Sequence, residues 1–201
     1  TIGTGTSAGR VNLTTGETSS TQARPLVTKR TAVTPSAGEH PLWTAFLQEA
    51  TAGDEGLQQY LQTLAGYCLT GSVEEQIVSF LHGDGENGKN AFLETLSDVW
   101  GDYAIKAQAG LLTAPDTEHP VGLFGVRGAR LIFIDEIGRS RINETRLKDL
   151  SGGALIRARD IGGKWVEFPM RGKIFVASNT LPRVVDATHG MWRRIRVAEL
   201  R

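Results

Sequence analysis

The sequence predicts an α/β domain with a central, mostly parallel sheet, and three observations support that fold class. Short apolar runs typical of buried strands occur at residues 77–81, 131–134, 173–178 and 195–197. Helical patterns precede and separate these runs, and a glycine-rich loop joins the first run directly to a helical stretch at 89–100. Apolar strands that alternate with helices are typical of parallel sheets covered on both faces.

The residues before the first strand form two regions of different character. Residues 1–40 are rich in Thr, Ser and Gly without sustained apolar periodicity, which predicts a linker or loosely ordered arm, with a small hairpin as an option at 9–17. Residues 41–72 carry two helical patterns and predict a small N-terminal helical region, followed by the main domain at 73–201. The second helix has an apolar stripe of Leu57, Tyr60, Leu61, Leu64 and Cys68.

Composition excludes several classes of protein. At 201 residues with 40% hydrophobic and 22% charged residues, the chain is ordinary for one globular domain. No apolar run reaches the roughly 20 residues of a membrane span. Its single cysteine, Cys68, excludes an intrachain disulfide and a cysteine-built zinc site, and is expected in the core. The start at Thr1 and the end after a strand-like run lead us to expect part of a longer protein.

The net charge is zero, but its distribution is uneven. Residues 41–126 contain 2 basic and 12 acidic residues (2 − 12 = −10), whereas residues 127–201 contain 16 and 8 (16 − 8 = +8). The basic half is a candidate surface for a polyanion such as nucleic acid. The alternative is that the two halves neutralise each other within one fold.

The glycine-rich loop predicts a phosphate-binding site. It fits the pattern G-x-x-x-x-G-K between a strand and a helix, where backbone N–H groups and the helix N-terminus bind phosphate oxygens. The lysine then contacts the β- and γ-phosphates of ATP. An ordinary glycine-rich turn is the alternative. The loop consists of Gly83, Asp84, Gly85, Glu86, Asn87, Gly88, Lys89 and Asn90.

Two carboxylates directly follow the second strand and predict a magnesium and hydrolysis site. Asp135 would hold Mg²⁺, and Glu136 would orient and deprotonate the attacking water. Asn90 stands where a Ser or Thr hydroxyl normally reaches the metal, so its amide oxygen is the second candidate metal ligand. A helix-capping or surface acidic pair is the alternative for Asp135 and Glu136.

The third strand delivers Asn179 to the same edge of the sheet, where its amide could bind the γ-phosphate and the attacking water. A simple turn residue is the alternative. The basic cluster that follows, with Arg193 and Arg194, could stabilise the charge of a phosphoryl-transfer transition state. Strand alternation places Arg193 with Ile195 and Val197, and Arg194 on the other, less apolar face, so Arg194 is the preferred arginine finger. A solvated basic strand edge is the alternative.

In this order, the motifs resemble the superfamily 3 helicases, in particular the phage/plasmid primase-helicase family. The resemblance covers about residues 40–200. The matching text is GYCLTG at 66–71, GDGENGKN at 83–90, LIFIDE at 131–136, KDLSGG at 148–153, IRAR at 156–159, FP at 168–169, FVASNTLP at 175–182 and GMWRRI at 190–195.

The resemblance implies an AAA+-like P-loop ATPase core that forms a hexameric ring and moves along single-stranded DNA from 3′ to 5′. It implies that Asp135 and Glu136 are the Walker B pair, that Asn179 is the sensor, and that Arg194 or Arg193 acts on a neighbouring subunit. It also implies an inserted β-hairpin at 154–168 that faces the DNA channel.

The hairpin would turn at Gly162-Gly163 and present Lys164, Arg159 and Arg157 to the strand. A solvated turn is the alternative for Lys164, and Trp165 could either stack on a base or belong to the hairpin core.

We therefore expect an ATP- and Mg²⁺-dependent DNA helicase module of phage or plasmid replication, in the cytoplasm of a bacterial host. Its expected partners are single-stranded DNA, further copies of itself, a primase and other replication proteins. One alternative is a non-catalytic or weakly catalytic DNA-binding or assembly module, which Asn90 and the neutral net charge keep open. Another is an ATPase that loads other proteins or remodels RNA.

Overall fold

The computed structural model describes residues 2–4, 9–19, 27–115, 122–185 and 188–201. Within these ranges the strands are β1 (Ile2–Thr4), β2 (Gly9–Val11), β3 (Thr18–Ser19), β4 (Val78–His82), β5 (Ala104–Lys106), β6 (Leu131–Ile134), β7 (Leu155–Ala158), β8 (Val166–Pro169), β9 (Lys173–Ser178) and β10 (Ile195–Glu199). The helices are α1 (Pro41–Ala50), α2 (Glu55–Leu69), α3 (Lys89–Trp100), α4 (Gly110–Thr113), α5 (Glu144–Ser151) and α6 (His189–Trp192), with a 3-10 turn at Gly101–Tyr103.

The central sheet has five strands in the order β10-β4-β9-β6-β5, and every neighbouring pair is parallel. This confirms the predicted fold class and all four predicted strands. Because β9 lies between β4 and β6, the carboxyl ends of these three strands lie side by side. We call this side of the sheet the carboxyl edge and the opposite side the amino edge.

Side chains alternate between the two faces of the sheet, and both faces are covered. Ile132 and Ile174 pack into one apolar cluster, with α5 and the β7–β8 hairpin. Phe133 and Phe175 point to the other face and pack with α1, α2 and α3. The strand β5, which the apolar pattern did not predict, has only three residues and lies at the end of the sheet.

The predicted helical region and hairpin are both present. Helix α2 begins after Asp54, whose side chain accepts a hydrogen bond from the Leu57 N–H at 2.9 Å. Cys68 is fully buried, and burial raises the pKa of its thiol to about 12, as expected for a core cysteine. None of the helices in the described ranges combines the length and apolarity needed to cross a bilayer.

The described part of residues 1–40 is more ordered than its composition predicts. Strands β1, β2 and β3 form an antiparallel sheet, which includes the hairpin option at 9–17. Ile2 is buried, the Gly3 N–H donates to the Tyr103 hydroxyl at 3.1 Å, and that hydroxyl donates to the Lys29 carbonyl at 2.8 Å. These long-range contacts explain the difference, because they cannot be read from local composition.

Lys173 begins β9 at the amino edge and is only 4% exposed. Its ammonium donates to the carbonyls of Thr70 at 2.6 Å and Ser72 at 3.1 Å, and lies 4.7 Å from the centre of the Tyr67 ring. Lys173 thereby ties the end of α2 to the central sheet. Burial lowers the pKa of Lys173 to about 8.

We expect Lys173 to make stability depend on alkaline pH. Between about pH 8 and 10.5 the unfolded chain binds the lysine proton and the folded chain does not, so stability rises with pH. The free energy of unfolding of the wild type, relative to Lys173→Met, should rise by roughly 1–3 kcal/mol from pH 7.5 to pH 10. Urea unfolding of both proteins at each pH measures this difference and cancels the titration of all other groups.

Lys164→Met is the control, since Lys164 lies exposed at the hairpin tip. If wild type and Lys173→Met differed in free energy of unfolding by the same amount at pH 7.5 and pH 10, Lys173 would have a normal pKa.

Candidate functional site

The glycine-rich loop lies at the carboxyl edge, between the end of β4 and the start of α3. Its glycines are needed for close packing: a Cβ on Gly83 would lie 2.4 Å from the Leu200 carbonyl oxygen, and one on Gly88 would lie 2.8 Å from the Phe46 ring. Gly88, at φ +81°, caps α3. The loop therefore passes from strand to helix with the N-terminus of a 12-residue helix directly behind it.

Lys89 is held inside the loop in this structure. Its ammonium donates to the Gly83 carbonyl at 2.8 Å and to Asn87 Oδ1 at 2.7 Å, and it is 6% exposed. Burial lowers its pKa, which the nearby charges of Glu136 and Asp84 partly oppose. Lys89 is thus a desolvated cation close to the acidic pair, and a phosphate could replace its loop acceptors.

Asp135 follows β6 and faces β5. Its Oδ2 forms an ion pair with Lys106, the last residue of β5, whereas Oδ1 is buried without a hydrogen-bond partner among the described residues. Asp135 and Lys106 lie at the carboxyl ends of adjacent parallel strands, which explains the pairing. A buried carboxylate oxygen without a donor suits a hard cation such as Mg²⁺.

The Glu136 carboxylate is hydrogen-bonded to residues at the end of β9. Its carboxylate accepts hydrogen bonds from the Gly138 N–H at 2.7 Å, the Asn179 N–H at 3.3 Å and the Ser178 hydroxyl. Burial raises the pKa of Glu136, but these hydrogen bonds outweigh it and leave the pKa below its ordinary value. The structure therefore brings Glu136 and Asn179 together, with Glu136 ionised at neutral pH.

Two other candidate site residues at the carboxyl edge have exposed side chains. Asn90 is exposed as the second residue of α3. Asn179 is exposed and lines a cavity of about 620 Å³ together with Arg139 and Arg183, which add positive charge. At the carboxyl edge, sequence reasoning missed Lys106 and Ser178. Each ends a strand adjacent to β6, but only the strand order reveals that they reach Asp135 and Glu136.

The sequence prediction for Arg193 and Arg194 was wrong in its local geometry. Helix α6 ends at Trp192 and β10 begins at Ile195, so both arginines lie in a turn where strand alternation does not apply. The Arg194 carbonyl accepts a hydrogen bond from the Val78 N–H at 2.7 Å. Both arginines therefore lie at the amino edge. The length of β4 separates them from the loop by about 16 Å, because its five residues rise about 3.3 Å each.

The side chains of these arginines stay at the amino edge. Arg194 donates to the Gly190 carbonyl at 2.5 Å and to Gln76 Oε1 at 3.1 Å, and Arg193 donates to the same Gln76 oxygen. Sequence reasoning also missed Gln76, which lies more than 110 residues away in sequence. The arginines thus lie at the opposite side of the sheet from the glycine-rich loop of their own chain.

The inserted hairpin is an antiparallel pair in which Ala158 pairs with Val166 and Gly162 turns the chain at φ +72°. Its tip, residues 159–165, is exposed. The Trp165 ring lies 5.2 Å from the Arg157 guanidinium and 5.0 Å from that of Arg159, and is 45% exposed, so it is not hairpin core. These residues and Lys164 give the hairpin three basic side chains and one aromatic ring, beside the exposed carboxylates Asp160 and Glu167.

A protein-family model covers most of this chain. Residues 81–194, from the end of β4 to the arginine turn, match the family described as a family of unknown function, DUF5906.

Curated relatives of this chain come from viruses. The candidate helicase L207/L206 of Acanthamoeba polyphaga mimivirus is 31% identical over 148 residues, which are 72% of this chain and 15% of the relative. The candidate primase C962R of African swine fever virus is 32% identical over 130 residues, which are 62% of this chain and 13% of the relative. The chain thus spans about one seventh of these relatives.

Solved structures share the fold. The apo A form of the C-terminal region of NrS-1 superposes with a TM-score of 0.60 at 18% identity, and covers 82% of this chain and 39% of that one. A second apo structure of the same region, residues 305–718, gives a TM-score of 0.61 at 17% identity, with 83% and 39% covered. At this identity the likeness concerns the fold alone.

Proposed function

The chain belongs to the DUF5906 family and to a phage/viral primase-helicase family, in line with the resemblance of its motifs to phage/plasmid primase-helicases. From this premise we propose that it is an ATP-dependent DNA helicase module. In this proposal it binds ATP with Mg²⁺, hydrolyses it, and couples hydrolysis to movement along single-stranded DNA. The module would serve replication as part of a larger protein, with primase and other replication proteins as partners.

The observation that carries the proposal is the convergence of three features at the carboxyl edge. The order β4-β9-β6 puts the phosphate loop, Asn179 and the acidic pair at neighbouring strand ends. Ligands of open α/β sheets bind at such an edge. Lys89 would bind the phosphates, Glu136 would take the proton of the attacking water, and Asn179 would orient that water.

Asp135 and Asn90 are the residues that would hold magnesium. When bound, the ion would neutralise charge on the β- and γ-phosphates. The unpartnered Oδ1 of Asp135 supports this assignment, and Lys106 already pairs a positive charge with Oδ2. The ion pair between Lys106 and Asp135 also supports a second candidate function, that of a weakly catalytic nucleotide-dependent assembly module. Lys106 competes with the metal for Asp135, and Asn90 lacks the usual hydroxyl.

The arginines support action between subunits. From the amino edge, Arg193 and Arg194 do not reach the loop of their own chain, so they would complete the site of a neighbouring copy. An arginine supplied in this way stabilises the transition-state charge of phosphoryl transfer. A closed ring satisfies every such interface, and we propose a hexamer that moves 3′ to 5′.

The basic hairpin is the proposed DNA contact. Arg157, Arg159 and Lys164 would bind phosphates without reading sequence, and Trp165 offers a ring for base stacking. The proposed location is intracellular, with the replication machinery. The bacterial host remains a prediction, since the viral relatives named above come from viruses of eukaryotes.

The test is ATP turnover with and without single-stranded DNA. We expect DNA to stimulate turnover of the wild type, and the triple variant Arg157→Ala/Arg159→Ala/Lys164→Ala to lose that stimulation while basal turnover remains. Its DNA affinity should also depend less steeply on salt, by about 0.7 in log–log slope for each DNA phosphate that the variant no longer neutralises.

Arg10→Ala/Arg127→Ala/Lys148→Ala, which removes three basic residues elsewhere on the chain, is the charge-matched control. Turnover without any DNA stimulation in the oligomeric wild type would favour the assembly module. Equal DNA binding by the hairpin variant and the control would show that the DNA contact lies elsewhere.

A further inference from the structure

Gln76 joins the two arginines of the amino edge. Its side-chain oxygen accepts hydrogen bonds from both guanidinium groups, and Arg194 is held on its other side by the Gly190 carbonyl. We propose that Gln76 is a positioning residue, which holds Arg193 and Arg194 ready for the phosphates of a neighbouring copy. This inference rests on the proposed function, because it presumes that the arginines act between subunits.

The backbone gives Gln76 a fixed place. Gln76 lies between α2 and β4 at φ +52°, in the left-handed region that non-glycine residues rarely adopt, and its N–H donates to the Val73 carbonyl at 3.0 Å. Such a conformation persists only where the surroundings hold it. Here Lys173 binds the carbonyls of Thr70 and Ser72 in the same connection. The connection that carries Gln76 is thus tied to the first residue of β9 in the central sheet.

An amide suits this task better than a carboxylate. Arg193 and Arg194 are adjacent cations, and an acceptor between them offsets their repulsion. Within the described residues, no carboxylate lies within 4.0 Å of either guanidinium. A neutral oxygen orders both groups without neutralising them, so their full charge stays available for phosphate. A glutamate at this position would instead form ion pairs with them.

The position of Gln76 also separates it from the chemistry of its own chain. It lies just before β4, at the opposite end of that strand from the phosphate loop. A change at Gln76 should therefore affect the arginines that a subunit donates, and not the ATP that the same subunit binds.

Mixed rings can test this distinction. Lys89→Ala subunits keep their arginines but lack a working loop, and Arg193→Ala/Arg194→Ala subunits keep the loop but lack the arginines. Each is expected to be inactive alone, and their mixture to regain ATP turnover. Adding Gln76→Ala to the Lys89→Ala subunit should lower the kcat of the mixture roughly 10-fold or more, with KM unchanged, because misplaced catalytic groups cost about this much.

Adding Gln76→Ala to the arginine-less subunit gives the matched control, since no arginine pair is left to position and the mixture should keep its turnover. Gln59→Ala, at an exposed glutamine of α2, controls for the substitution itself. Gln76→Glu in the donor subunit should be at least as harmful as Gln76→Ala. Equal effects of Gln76→Ala in both placements, or none in either, would overturn the proposal.

A second measurement is independent of turnover. NMR order parameters of the arginine Nε–Hε groups report directly on the side chains. That of Arg193 should fall below about 0.6 in Gln76→Ala, because Gln76 accepts the side-chain hydrogen bond that holds Arg193 among the described residues. Unchanged order of both arginines would reject the positioning role. If the order falls but the parent mixture regains no activity, Gln76 positions the arginines and their action between subunits is wrong.

Discussion

Lys89→Ala is expected to abolish ATP binding and turnover while the fold stays intact. Lys89 would make charge-assisted hydrogen bonds to two phosphates, each worth roughly 1.5–3 kcal/mol, so its loss should weaken ATP binding about 100-fold or more. The fold should survive because, among the described residues, the Lys89 ammonium donates hydrogen bonds only within its own loop, to Gly83 and Asn87. Removing a desolvated cation also relieves a cost of burial.

Titration with a fluorescent ATP analogue and a phosphate-release assay measure the two effects. Thermal unfolding of the variant tests the fold. Lys148→Ala is the matched control, since that lysine lies on α5 and not in the glycine-rich loop. Normal turnover by Lys89→Ala would refute the assignment of the loop, whatever the outcome for the other residues.

Glu136→Gln is expected to retain ATP binding and lose hydrolysis. The Glu136 carboxylate is ionised at neutral pH, because hydrogen bonds from Ser178, Gly138 and Asn179 hold its pKa below the ordinary value against burial. An amide has almost the same shape but cannot take a proton from water. Loss of a general base lowers kcat by about 10²–10⁴.

Single-turnover hydrolysis and ATP affinity should be measured together, so that a loss of kcat with unchanged affinity identifies the chemical step. Glu49→Gln, on the exposed side of α1, controls for the change of charge. A Glu136→Gln protein with kcat within a few fold of wild type would exclude Glu136 as the base. Because the pKa is lowered, wild-type turnover should not fall through Glu136 protonation between pH 8 and pH 6.

Much of the site depends on local patterns and was predictable. The loop at 83–90 needs glycines where a Cβ would collide with Leu200 or Phe46, and glycine spacing is visible in any sequence. The strands β6 and β9 are apolar on both faces because both faces are buried, so their runs and the polar residues that follow them stand out. Helices α1, α2 and α3 likewise follow from periodicity, whereas the hairpin was expected from the family resemblance.

Other features depend on which strands become neighbours. Lys106 reaches Asp135, and Ser178 reaches Glu136, only because β5 and β9 flank β6. Residues 1–40 looked loosely ordered because Thr, Ser and Gly carry no apolar period. Contacts of the described part of this region include the burial of Ile2 and a hydrogen bond from Gly3 to a tyrosine 100 residues away, which composition does not show.

The amino-acid sequence by itself determined the fold class, through the alternation of apolar runs and helical patterns along the chain. It also determined the glycine-rich loop pattern and the candidate catalytic groups, each of which is encoded within a few neighbouring residues. The tertiary structure alone decided where Arg193 and Arg194 lie, at the amino edge and bound to Gln76. The prediction extended strand alternation through a turn and therefore placed the two arginines wrongly. The direction of the backbone in this turn depends on the packing of α6 and on the pairing of β10 with β4. Pairing between distant segments follows from burial and hydrogen bonding across the whole chain, and no local spacing records it.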